Sequence, residues 1–152
     1  MYQGLVFLHL VGVLVFAIAH GVSIFAAFRV RGERDPKVVA AILGLSKIAV
    51  GLLYVGLLLL GIGGLGAAWS AGTLLAPWAI ASYVVLVVVL GVMYALATPY
   101  YVKVRELVGD GTAAVDPVEL ERMLATRRPE ILAGVGAIGL LVLVWLMVYR
   151  PG

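Results

Sequence analysis

LVFLHLVGVLVFAIAHGVSIFAAFRVRGERDPK, residues 5–37, decides how this chain is read. Its first part holds no Asp, Glu, Lys or Arg, and its last part, residues 29–37, is crowded with them. The uncharged run is long enough to cross a bilayer, which takes roughly 20 mostly apolar residues. The same alternation governs the rest of the chain. All eight acidic residues fall in two segments, 29–37 and 103–130, as do all the Lys and Arg residues except Lys47 and Arg150. The gaps between them supply four passages through a membrane. The sequence therefore predicts an all-α integral membrane protein, a bundle of four transmembrane helices within one domain, residues 1–152.

Composition agrees with that class. Hydrophobic residues make up 64% of the 152, far above a soluble domain of ordinary composition. The net charge of +3 does not indicate a nucleic-acid partner, because the bases sit directly beside apolar runs and act as a topological signal. The absence of cysteine excludes disulfides, thiolate metal sites, iron–sulfur clusters and covalently attached haem. The N-terminal run lacks a basic leader and exceeds the 7–15 residue core of a signal peptide, so it is expected to be retained.

The spans are expected at about 3–28, 38–61, 78–101 and 130–149. Basic residues 29, 31, 34 and 37 place the first connection in the cytoplasm, with both termini outside. Segments 29–37 and 102–129 are then cytoplasmic loops of a multi-pass protein of the bacterial inner membrane. Asp35 and Pro36 read as the cap and first residue of the second helix, which Gly61, Gly63, Gly64 and Gly66 are expected to end. Trp69 and Trp78 mark one membrane boundary, and Tyr100 and Tyr101 the other. A flexible stretch, 109–114, precedes Asp116, which caps a short surface helix running to about Thr126 with Glu119 at the reciprocal position. On that helix Leu120 and Leu124 are expected to face lipid headgroups or protein. Pro129 sits in the first turn of the last span. Glycines within the spans (12, 21, 44, 51, 56, 91, 134, 136 and 139) are expected at helix contacts, since close backbone approach replaces the hydrophobic drive in lipid.

Polar residues inside the spans are the candidate site. His9 and His20 lie roughly 20° from a common face of the first helix and about 16 Å apart, too far to hold one metal ion together. Each needs a partner from another helix. Met93 is the one mid-span methionine able to serve as a soft axial ligand, so His9, His20 and Met93 are candidate ligands for haem b or copper. A homodimer would supply further histidines. The plainer reading gives each histidine a hydrogen bond to a neighbouring helix. Lys47 is the one base within a span, either snorkelling to the headgroups or lining a polar interior with Tyr54, Tyr94 and Thr98. That interior would form if stripes on three helices converge: His9, Gly12, Phe16, His20 and Ser23; Lys47, Gly51 and Tyr54; and Tyr83, Tyr94, Thr98 and Tyr101.

Four phrases carry a family likeness: Leu8-His9-Leu10-Val11-Gly12, His20-Gly21-Val22-Ser23, residues 28–35 (FRVRGERD), and residues 94–101 (YALATPYY). Together they resemble an uncharacterised family of small bacterial four-helix membrane proteins, DUF2269, over most of the chain. A more distant similarity is to the copper resistance protein D family, which also opens on a helix containing Leu-His. The scarcity of soft ligands speaks against Cu(I) transport. Three functions follow as expectations: an accessory or structural subunit in the lipid bilayer, within a homodimer or larger complex; a haem- or copper-binding redox protein; and a small transporter or proton relay using Lys47, His20 and Tyr94. The chain does not read as an enzyme. It has no carboxylate pair in a span, and residues 61–66 lack the Lys-Ser/Thr ending of a phosphate loop.

Overall fold

The computed structural model describes residues 1–109, 111 and 115–151, and among them every element is helical. The elements are α1 (Tyr2–Arg31), α2 (Pro36–Ser70), α3 (Pro77–Val108), α4 (Pro117–Leu124) and α5 (Arg128–Tyr149). Four helical stretches are long and apolar enough to cross a membrane. Much of the expected flexible stretch, residues 110 and 112–114, lies outside the described residues.

Local chemistry sets the helix starts. The Asp35 carboxylate accepts a 2.9 Å bond from the Lys37 amide, and that of Asp116 a 2.9 Å bond from Val118. In both cases proline occupies the first turn, where its missing N–H costs nothing. Gly109 closes α3 with φ at +53°, and Gly111, at φ +82°, backs onto the Cα of Lys37. A side chain at Gly111 would meet both a strained backbone and the start of α2.

The bundle is two antiparallel hairpins. In the first, α1 and α2 press backbone to backbone. A Cβ at Gly12 would collide with Leu60, one at Gly56 with Phe16, and one at Gly63 with His9. Gly56 and Gly63 are seven residues apart, and Ala49, also buried, extends that spacing. This is the heptad seam of a left-handed helix pair, built from small residues as helices in lipid require. The second hairpin joins α3 to α5, where Gly139 receives the side chain of Val89 and Arg150 lies 5.4 Å from the Trp78 ring.

The second helix does not stop at Gly61. It runs on to Ser70, because Gly63, Gly64 and Gly66 face α1 and let His9 and Leu5 approach. Glycine ends helices in water by exposing backbone, but an unwound segment inside a bilayer would leave polar groups without partners. The other expected spans are also exceeded: α1 continues to Arg31 and α3 to Val108. Not every intramembrane glycine is a contact. Gly21, Gly44, Gly51, Gly91 and Gly134 have nothing within 4 Å of a Cβ, which corrects the expectation for them.

A second kind of packing holds the polar end. Val30, Val39, Leu43, Tyr100, Val104, Val108, Leu120 and Leu124 form one buried cluster, and the largest fully buried side chains all lie at this end. Of the two surroundings expected for the leucines of the short helix α4, headgroups or protein, the structure shows protein. Leu120 and Leu124, at 1% and 0% exposure, plug the gap between α1, α2 and α3. Salt bridges from Arg31 to Glu130 and from Arg34 to Glu121, the latter 2.9 Å, tie α5 and α4 to the end of α1 and the turn that follows it.

Candidate functional site

Residues that seemed to share one polar interior part company. His9 faces α2, where its Nδ1 donates a 2.8 Å hydrogen bond to the Leu60 carbonyl and its ring covers Gly64. A carbonyl only accepts, so the bond assigns the proton to Nδ1. The glycines at 63 and 64 make this bond possible by leaving the α2 surface bare. His20 meets a different helix. It is 8% exposed and packs its Nε2 edge on Gly136 of α5, at the joint between the two hairpins.

The joint contains a small cavity, about 20 Å³, lined in part by Phe16, His20, Met93 and Gly136. It is lined by apolar groups apart from the imidazole, and Phe16 stacks on His20 at 6.2 Å between ring centroids. Nε2 of His20 is buried without a hydrogen-bond partner, as are the hydroxyls of Ser23 and Tyr83. His20 and Met93 do therefore reach one cavity, while His9 is remote from it on the α2 side. The space between them does not admit a haem. Among the described residues, no cluster of three or more His, Cys, Asp or Glu side chains is placed to hold a metal ion.

Lys47, Tyr54, Tyr94 and Thr98 do not line the interior. All four are exposed on the outer surface, Tyr54 at 58% and Tyr94 at 66%. The inward faces of α2 and α3 are taken by small residues such as Ser46, Ala49, Ala79 and Ser82, which pack more closely than a lysine or tyrosine can. The relay of Lys47, His20 and Tyr94 is thus not assembled within one chain.

The longer α2 sets the distance between Lys47 and Trp69. Trp69, at the far end of that helix, is 75% exposed, as expected of an aromatic anchored at a membrane boundary. Lys47 is roughly 22 residues away, about 33 Å along the axis, which is close to the full hydrocarbon thickness. The stretch of α2 before Lys47, through Val39 and Leu43, packs into the buried cluster at the polar end together with α4.

A family model described as predicted integral membrane protein, DUF2269, matches residues 3–151. The chain belongs to the DUF2269 family. Curated proteins and solved structures include no match to this DUF2269 member. The distant likeness to copper resistance protein D gains no support from these comparisons.

At the polar end, Glu33 shows how the turn between α1 and α2 is set. Its Oε1 accepts from the backbone amides of Arg34 (2.9 Å) and Asp35 (3.2 Å). Those bonds to the ionised carboxylate, aided by Arg29 at 3.4 Å, hold its pKa below the ordinary glutamate value. The turn therefore presents an ionised carboxylate among bases near neutral pH.

Proposed function

We propose that this DUF2269 chain is a non-enzymatic accessory or structural subunit of a membrane assembly, either a homodimer or a larger complex. One observation carries the reading: the outer face of α3 bears Gly91, Tyr94, Ala95 and Thr98, all exposed, in the middle and inner part of the span. Small residues beside hydroxyls are what a docking helix uses in lipid, close approach from the first and a hydrogen bond from the second. The predominance of bases at the polar end supports a cytoplasmic location for that end, in the bacterial inner membrane, with both termini outside. A photoreactive amino acid at Tyr94 in native membranes tests the docking face. A discrete adduct, at twice the monomer mass for a homodimer or at another defined mass for a partner, is expected there and not from Ile18 on α1. Lipid adducts alone at both positions would defeat the reading.

A second reading draws on His20, whose ring borders one small cavity with Met93. A single soft ion such as copper suits an imidazole and a thioether, whereas haem b does not suit the space. When bound, the ion would supply one-electron chemistry. His20 and Met93 would hold it once the imidazole turned off Gly136, with Phe16 excluding water. Metal analysis of protein purified in mild detergent, before and after Met93→Leu, tests this; metal content near zero in both would defeat it.

A further inference from the structure

We propose that His20 is a proton-operated latch between the two hairpins. When its imidazole takes up a proton, the α1/α2 and α3/α5 hairpins part at the cavity, while the buried cluster at the polar end holds them together as a hinge. The inference rests on neither reading above. A copper ion would compete with the proton for the ring, so the test uses metal-free protein.

The latch is one polar ring in an apolar joint. His20 is 8% exposed, its Nε2 edge packs on Gly136 of α5, and that nitrogen is buried without a hydrogen-bond partner. The cavity beside it is walled by Phe16 of α1, by Leu86, Val89, Leu90 and Met93 of α3, and by Gly136 with two leucines of α5. None of these side chains carries a charge or an oxygen acceptor. A neutral ring tolerates such a place. An imidazolium has an N–H on both nitrogens and a full charge, and at Nε2 it finds neither acceptor nor water while the hairpins stay shut.

No counter-ion is at hand. On α5 the nearest charged groups are Glu130 and Arg128, about 9 and 12 Å along the axis from Gly136, and Glu130 is already paired with Arg31. On α1, Arg29 and Arg31 lie about 14 and 16 Å along the axis from His20, and His9, as far in the other direction, is bonded to the Leu60 carbonyl. Ser23, one turn along α1, has a hydroxyl that is also buried without a partner, so it does not bond the ring. On α3 the titratable groups nearest the cavity wall are Tyr83, uncharged near neutral pH, and Tyr94, which is exposed on the outer surface. From α2, Gly56 meets Phe16, while Lys47 and Tyr54 are exposed on the outside. Phe16 offers only a ring face at 6.2 Å, a weak substitute for water. Relief of a charge enclosed in this way comes from separating the surfaces that enclose it.

The polar end is held differently. There Val30, Val39, Tyr100 and Val104 share one buried cluster with Leu120 and Leu124, and the Arg31–Glu130 and Arg34–Glu121 pairs tie across it. Carboxylates ordinarily protonate near about pH 4, roughly two units below imidazole, so this clamp stays charged through the imidazole range.

The test uses the full, metal-free chain in phosphatidylcholine nanodiscs, where the absence of native cysteine allows two spin labels at chosen sites. Leu10→Cys with Leu141→Cys, both exposed, reports across the hairpins beyond the joint, and Val38→Cys with Val102→Cys reports across them at the polar end. From about pH 7.5 to about pH 5, a range that brackets ordinary imidazole, the first distance is expected to lengthen reversibly and the second to stay fixed. The lengthening should be at least about 3 Å, the width of one water. His20→Leu should abolish the change, and His9→Gln should keep it. Imidazole NMR of the two histidines needs no variant at position 20: the His20 midpoint should coincide with that of the distance. A first distance indifferent to pH, a change that persists in His20→Leu or is lost in His9→Gln, or midpoints that differ would overturn the latch. Equal lengthening at both ends would overturn the hinge.

Discussion

The His20 ring lies so close to Gly136 that even a methyl group on the glycine would overlap it. This contact joins the α1/α2 hairpin to the α3/α5 hairpin, and it places a polar ring where the bundle is otherwise apolar. Gly136→Ala should destabilise the folded protein by about 1–3 kcal/mol, the usual cost of overfilling a packed site. The cost should largely vanish in a His20→Ala background. Denaturant titration in mixed micelles, run as a double-mutant cycle, measures the coupling; two additive losses would contradict the contact.

The seam between α1 and α2 divides the glycines of α2 into two classes. Gly56→Ala and Gly63→Ala each thrust a methyl into the α1 backbone and should cost about 1–3 kcal/mol. Gly44→Ala and Gly51→Ala meet open space and should be neutral or stabilising by up to about 1 kcal/mol, the difference in helix propensity. Thermal unfolding in detergent ranks the four. A uniform response would contradict the division.

This division also shows what was legible in the sequence. The spacing of charges sufficed for four passages, and Asp35 and Asp116 announced their helix starts correctly, because a capping carboxylate followed by proline acts locally. The faces of the spans were not legible. Each span is apolar on every side, so no periodic contrast separates the lipid face from the packed one. Of the two courses open to Lys47, the polar interior shared with Tyr54, Tyr94 and Thr98 rests on the premise that polar residues shun lipid, but the close seam admits only small side chains and all four point outward. Residues 61–66 misled for a related reason: glycine serves approach in lipid and termination in water, and composition alone does not distinguish them. His9 and His20 share a face by periodicity, yet the ring planes and neighbours that send one to α2 and the other to α5 depend on where glycines fall in other helices.

The polar end should behave like a small soluble domain. Leu124 is completely buried, and Leu124→Ala should cost about 2–5 kcal/mol. The loss should appear first as faster hydrogen exchange in α4 and in the last turns of α3, with the glycine seam still protected. Simultaneous loss of protection through α1 and α2 would mean that the head and the membrane-spanning part are one cooperative unit.

Glu33 offers a pH prediction. Its pKa in the folded protein is held below the ordinary glutamate value, chiefly by the Arg34 and Asp35 amides. A depressed pKa contributes stability that is present above the unfolded value and lost as pH falls through the folded one. The turn between α1 and α2 should therefore keep its structure at pH 5 and loosen only in stronger acid. Carboxyl NMR titration of Glu33 checks this, and a midpoint at or above 4.5 would contradict it. Glu33→Gln should remove the acid dependence of the turn while leaving the helices intact.

Membrane register decides how deep Lys47 sits and where the head meets the span. Single spin labels on the outward positions of α2, from Val38 to Trp69, report depth through the ratio of oxygen to polar-reagent accessibility. The expected maximum lies near Leu58, midway between Lys47 and Trp69, with Val38 and Leu45 on the aqueous side of the boundary. A maximum near Ile48, and a return to aqueous values by Ile62, would contradict the account and restore a span ending at Gly61.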